Sequence, residues 1–187
     1  MGVYDSSGGP QRIPEPEVII GLDFGKARSN KIWAISNEQI ARAICEFQEL
    51  RERNDRSILP VILQKETGFA HINVCEIGGT THGVRYNESS RGKYLDTYEV
   101  LRQAWKLMKK QGWQYAVIVA HPAHYRRCVA IAKWFGIRPM CQYQGHLKRI
   151  SFDPQSAQIW TRNRYFFFAW TILGYFKFWL TRKETDK

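Results

Sequence analysis

The chain reads as an α/β domain built on a mostly parallel sheet, and three observations predict it. Short apolar runs alternate with helical patterns from residue 17 to residue 181. Helices lying between strands imply crossovers between parallel neighbours. The best run, Tyr115 to Ala120, ends abruptly in His121-Pro-Ala-His124-Tyr-Arg126-Arg127 and passes into a helical pattern of Val129, Ala130, Ile131, Trp134 and Phe135 that stops at Gly136. At 187 residues and 44% hydrophobic content, the chain is long enough for one sizeable core.

Residues 1–16 are polar, with Ser6-Ser-Gly-Gly-Pro10 and further prolines at 14 and 16. They read as a disordered leader, without the apolar segment of a secretory signal. Val18-Ile-Ile-Gly-Leu22 is the first strand, and Asp23 to Asn30 is a polar turn. Ser36 with Gln39 forms a capping-box pattern. Behind it Ile40, Ala43, Ile44, Phe47 and Leu50 fall on one helical face, with Glu46, Glu49, Arg51, Glu52 and Arg53 toward water. Ile58 to Leu63 is the second strand, its Pro60 tolerated near a strand start or an edge.

Ile72 to Ile77 alternates as a third strand and breaks at Gly78-Gly79, and Thr80 to Gly92 reads as a polar surface loop. Asp96 with Glu99 makes another capping box, ahead of a stripe of Tyr98, Leu101, Trp105 and Met108. Lys106, Lys109 and Lys110 crowd the last turn of that helix, where cations offset its dipole, and Gly112 ends it. Tyr115 to Ala120 and Ile137 to Gln142 supply the remaining strands. There is no internal repeat. Gly21-Leu-Asp-Phe-Gly25 has the spacing neither of the dinucleotide fingerprint nor of a P-loop. No nucleophile elbow, HExxH or kinase motif is present.

The end of the chain is aromatic. Arg162-Asn-Arg164 precedes a 12-residue run, Tyr165 to Phe176, followed by Lys177, Phe178, Trp179, Leu180 and a charged tail over 182–187. That run falls short of the roughly 20 residues that span a bilayer. It reads as a helix over 162–181 packed on the sheet and buried nearly all round. Its basic flanks and its Trp and Tyr content keep a contact with an anionic membrane surface open.

Charge divides the chain. Residues 1–100 carry 12 Lys+Arg against 14 Asp+Glu, whereas residues 101–187 carry 16 against 3. The basic half calls for an anionic partner: a phosphorylated small molecule, an acidic membrane or nucleic acid. Most of its aromatic residues fall at core-like spacing, which weighs against stacking platforms for nucleic acid. Cys45, Cys75, Cys128 and Cys141 lack zinc spacing. They read as reduced core thiols of a cytoplasmic protein.

Ligands of open α/β sheets collect at the carboxyl ends of strands. The first candidate site is therefore His121, His124, Arg126 and Arg127, after the strongest strand. Helix N–H groups and guanidinium forks there suit phosphate or carboxylate, and His124 is the candidate for moving a proton. A capping His121 and solvated arginines are the structural alternative. Asp96 and Thr97, at a helix start, are the second candidate, although capping alone also accounts for them. Asp23 and Gly25, with Arg28, follow the first strand as the third.

These residues resemble the ElyC/SanA/YdcF-type bacterial family. The resemblance is carried by Asp96-Thr97-Tyr98-Glu99, by the strand leading to His124-Tyr-Arg126-Arg127, by the arginines ahead of the aromatic segment Arg162 to Trp179, and by Arg42. It covers residues 18 to 180. The loops after the first two strands, Asp23-Phe-Gly25-Lys26 and Gln64-Lys-Glu-Thr67, are less Gly-rich than the family's. The resemblance implies a Rossmann-like three-layer fold. For some members it implies a nucleotide-like or S-adenosylmethionine-like ligand, and for others a role in envelope biogenesis with a membrane anchor.

Overall fold

A computed structural model of the chain describes residues 14–26, 34–64, 81–83, 96–140 and 149–173. Strands β1 (Val18–Gly21), β2 (Val61–Leu63), β3 (Thr81–Gly83), β4 (Tyr115–Val119) and β5 (Arg138–Pro139) form one sheet in the order β3-β2-β1-β4-β5. Every neighbouring pair is parallel. Helices α1 (Ile35–Arg53), α2 (Thr97–Gln111) and α3 (Pro122–Trp134) complete a Rossmann-like α/β fold. A 3-10 turn, Ile159–Thr161, and a helical stretch over 164–173 follow.

The two central strands explain their own composition. β1 and β4 are paired on both edges, in the register Ile19 to Val117 and Ile20 to Ile118. Val18, Ile19 and Ile20 are fully buried. A strand covered on both faces reads as a continuous apolar run, because neither face has water to meet. Among the described residues β3 is an edge strand, and Thr81-His-Gly83 pairs with β2 without the apolar alternation that marks a strand in sequence. The expected strand at Ile72 to Ile77 lies outside the described residues, as does Arg28.

Helix α1 buries Ile40, Ile44 and Phe47. Each apolar side chain so removed from water contributes about 1.5–3 kcal/mol. Its start corrects the capping box. The N-cap is Ala34, without a side-chain cap, and Ser36 and Gln39 lie inside the helix. Asp153, distant in sequence, accepts the Ile35 N–H at 3.2 Å, while Gln39 Oε1 accepts the Ser151 N–H at 2.7 Å. Leu50 is exposed and Arg51 is buried, the reverse of expectation. Arg51 is drawn inward by the Ser57 carbonyl, 2.9 Å from Nε, and by Glu15, 3.6 Å from Nη2.

Helix α2 follows its sequence closely. Asp96 Oδ1 accepts the Glu99 N–H at 3.0 Å, and Gly112 closes the helix at φ 76°. Leu101 and Met108 are buried, and Tyr98 and Trp105 pack on Phe135, the C-cap of α3. Glu99 does not complete the box. Its carboxylate takes two bonds from Arg102, at 2.7 and 2.8 Å, and one from Gln103, which hold its pKa below the ordinary value.

Two further expectations are overturned. Cys45, buried in α1, is disulfide-bonded, so the cysteines are not all reduced thiols. An apolar run looks the same around a thiol and a half-cystine, so no local signal separates them. The terminal helical stretch is not buried nearly all round. Phe167 is its buried anchor, while Tyr165, Phe166, Phe168, Trp170, Ile172 and Leu173 are exposed. Among the described residues, no helix is long and apolar enough to cross a membrane.

Candidate functional site

The strand order turns outward on either side of β1 and β4, so the segments leaving these two strands face each other across a crevice. The segment after β1 is fixed through its backbone. Gln64 Oε1 accepts the Asp23 N–H at 2.8 Å, and Asn37 Oδ1 accepts the Phe24 N–H at 2.6 Å. The Ser36 hydroxyl donates to the Phe24 carbonyl, and Ser156 Oγ accepts the Lys26 N–H at 3.1 Å. Gly25 stands at φ +92°, where a side chain is strained, and an added Cβ would lie 2.9 Å from Ser156 Oγ.

Helix α3 opens the opposite wall. His121 is its N-cap and accepts the Ala123 N–H on Nδ1 at 3.2 Å, which leaves the ring proton on Nε2. Its ring stacks on Phe24, with centroids 3.8 Å apart and planes 10° from parallel. One turn on, His124 Nε2 lies 2.9 Å from Thr97 Oγ1 at the start of α2. Both imidazoles are neutral at physiological pH. Burial pushes His121 down to about 4. Burial, helped by the charge of Arg127 and by His121, pushes His124 down to about 3.

A cleft of about 420 Å³ opens between these walls. Asp23, Gly25, Asp96, Thr97, His124 and Arg127 line it from the strand ends. The C-terminal segment closes it with Gln158, Thr161 and the aromatic rings of Trp160, Phe167 and Trp170. Ser156 holds that segment in place. Its hydroxyl also accepts from Thr161 Oγ1 at 2.8 Å and from the Gln158 N–H at 3.2 Å.

Three buried polar atoms on cleft residues have no protein partner: His124 Nδ1, Arg127 Nε and Gln158 Oε1. His124 and Gln158 are each only 7% exposed. Leaving one such group unpaired costs about 1–3 kcal/mol. The direction of the Thr97–His124 bond and the tautomer of His124 are linked, while Arg127 Nε is a donor and Gln158 Oε1 an acceptor.

The structure thus brings together Asp23, Gly25, Asp96, Thr97, His124 and Arg127 from the sequence-derived candidates. It does not bring in His121 or Arg126, and Arg28 lies outside the described residues. His121 lies behind Phe24, and Arg126 is exposed and lines no part of the cleft. Arg126 and Arg127 are adjacent in sequence, and a single step along a helix is enough to point them to different faces. Sequence reasoning missed Gln158, Trp160 and Thr161. They reach the cleft through bonds spanning about 130 residues, such as Lys26 to Ser156, and no local pattern announces these. Among the described residues, no cluster of three or more His, Cys, Asp or Glu side chains is arranged to hold a metal. No protein-family model, curated protein or solved structure matches the chain.

Proposed function

We propose that the chain binds a small anionic ligand, of nucleotide-like size, in the cleft between the β1 and β4 strand ends. The observation that carries this reading is that His124, Arg127 and Gln158, each with one buried side-chain N or O atom without a hydrogen-bond partner, line the same cleft. Arg127 supplies the positive charge and His124 a neutral imidazole. Gln158 accepts a hydroxyl or amine of the ligand. The resemblance to the ElyC/SanA/YdcF-type family, with the nucleotide-like or S-adenosylmethionine-like ligand implied for some of its members, agrees in kind. Native mass spectrometry of freshly purified protein, then thermal shift with AMP, ATP and S-adenosylmethionine, tests the reading. A co-purified mass or a shift that disappears in Arg127→Gln supports it. Neither mass nor shift with any of the three removes the nucleotide-like ligand.

A second reading is favoured by the terminal helical stretch. Six large apolar side chains between Tyr165 and Leu173 are exposed, directly after Arg162 and Arg164. That pattern suits peripheral contact with an anionic membrane surface. Co-sedimentation with vesicles containing phosphatidylglycerol, for the intact chain and for Phe166→Ser/Phe168→Ser, tests it. Partitioning unchanged by the double substitution eliminates this contact.

A further inference from the structure

We infer that the ligand is an anionic amphiphile, its charged head seated at Arg127, His124 and Gln158 and its hydrocarbon tail laid along Trp160, Trp170 and Leu173. The inference rests on the anion reading above for the head and adds the tail. The cleft has a polarity gradient along its length. At its strand end sit polar groups that are nearly fully buried: Asp23, His124, Gln158 and Thr161 are 8%, 7%, 7% and 3% exposed. At the other end Trp170 and Leu173 are 44% and 62% exposed, and both still line the cavity. A wholly polar ligand would leave that outer wall wet.

The outer wall is poorly suited to reading a nucleobase. The Trp160 and Trp170 rings stack on each other, with centroids 4.6 Å apart and planes 13° from parallel, so the slot between them is filled. Beyond them, among the described residues, the wall offers the Leu173 side chain and ring surface, with no carboxylate, amide or hydroxyl to pair with a base edge. A hydrocarbon chain asks only for apolar surface. The same helical stretch carries further exposed apolar side chains at Tyr165, Phe166, Phe168 and Ile172. Arg162 and Arg164 precede this surface, as suits a ligand drawn from an anionic lipid surface. A free alkyl phosphate and a lipid headgroup present the same chemistry here.

The test is calorimetric titration of the full chain with inorganic phosphate, AMP, and butyl, hexyl and octyl monophosphate, all below their micelle concentrations. Octyl glucoside serves as the uncharged control of equal chain length. A fully buried methylene strengthens binding about fourfold. A partly exposed wall should therefore tighten affinity at least about tenfold from butyl to octyl phosphate. Leu173→Ser and Trp170→Ser, at exposed positions, should flatten the series from butyl to octyl phosphate to within about threefold. Arg127→Gln should weaken every phosphate in it. Vesicles carrying a phosphomonoester lipid should compete with octyl phosphate if the source is a bilayer. Equal affinity for butyl and octyl phosphate, with phosphate or AMP still bound, overturns the amphiphile and leaves the anion site standing. Octyl glucoside binding as tightly as octyl phosphate overturns the charged head. Failure of every phosphate overturns both readings.

Discussion

The Thr97 hydroxyl, 2.9 Å from His124 Nε2, ties the first turn of α2 to the first turn of α3 across the cleft. A residue that could have served only as a helix start thereby sets which nitrogen of a buried imidazole carries the proton. Thr97→Val removes the hydroxyl and keeps the shape. Long-range 15N–1H spectra should show one His124 tautomer in the parent chain and in Thr97→Ser, and a mixture in Thr97→Val. Stability should fall by about 1 kcal/mol, the net worth of one such bond. A single tautomer in Thr97→Val would remove the hydroxyl from this role.

Arg126 and Arg127 separate function from solvation. Arg127→Gln should weaken the binding of a phosphate ligand at least about tenfold, as expected for a charge-assisted contact. Arg126→Gln, with the same loss of charge, should stay within about twofold. The unliganded Arg127→Gln protein should melt no lower than the parent, because Arg127 Nε is buried without a partner. A comparable loss in both variants would reduce the effect to the overall field of the basic half.

The two histidines make stability depend on acid. Their ordinary pKa is 6.5, and in the fold they stand at about 4 for His121 and about 3 for His124. Between those values the unfolded chain binds more protons than the folded one, so stability rises with pH. The stabilisation is fully present above 6.5 and is lost as pH falls toward 4 and then 3. Between pH 7.5 and 5 each histidine should cost about 2 kcal/mol. Urea unfolding across this range should give a shallower slope for His124→Gln than for the parent. An identical slope would mean that the imidazole is already accessible to protons.

Gly25 is held where the loop after β1 meets Ser156. Gly25→Ala forces a side chain onto φ +92° and against Ser156 Oγ at 2.9 Å. It should destabilise the protein by about 2–3 kcal/mol. Adding Ser156→Ala should relieve the contact and not the backbone strain, so the double variant should be more stable than the sum of the singles predicts. Strict additivity in thermal or urea melts would mean that the two groups do not meet.

How much of this was legible follows from the range of each interaction. β1, β4 and α2 were readable because burial on both faces, or an N-cap with a C-terminal glycine, leaves a local pattern. The strand ends likewise pointed to Asp23, Thr97, His124 and Arg127. The start of α1 was misread because its cap, Asp153, lies 118 residues away from Ile35. Gln158 and Trp160 were invisible as cleft residues for the same reason. Gln64 looked like a departure from a Gly-rich turn, yet its side chain holds the Asp23 N–H. The terminal aromatic run reads as core by composition, and only the packing reveals that Phe167 alone is driven deep among its large rings.

Cys128 and Cys45 should behave oppositely toward thiol reagents. Cys128 lies fully buried in α3 as a free thiol, and burial pushes its pKa up to about 12, so almost no thiolate forms near neutral pH. Cys45 is disulfide-bonded. N-Ethylmaleimide applied to the native protein should leave the Cys128 peptide unlabelled, and urea without reductant should expose it. The Cys45 peptide should label only after unfolding together with reduction. Peptide mapping reads each residue separately, so the two outcomes do not obscure each other. Native labelling of Cys128 would mean that α3 opens on the timescale of the reaction, and with it the wall that carries His124 and Arg127. Labelling of Cys45 in urea without reductant would return it to the reduced thiols that its sequence neighbourhood suggested.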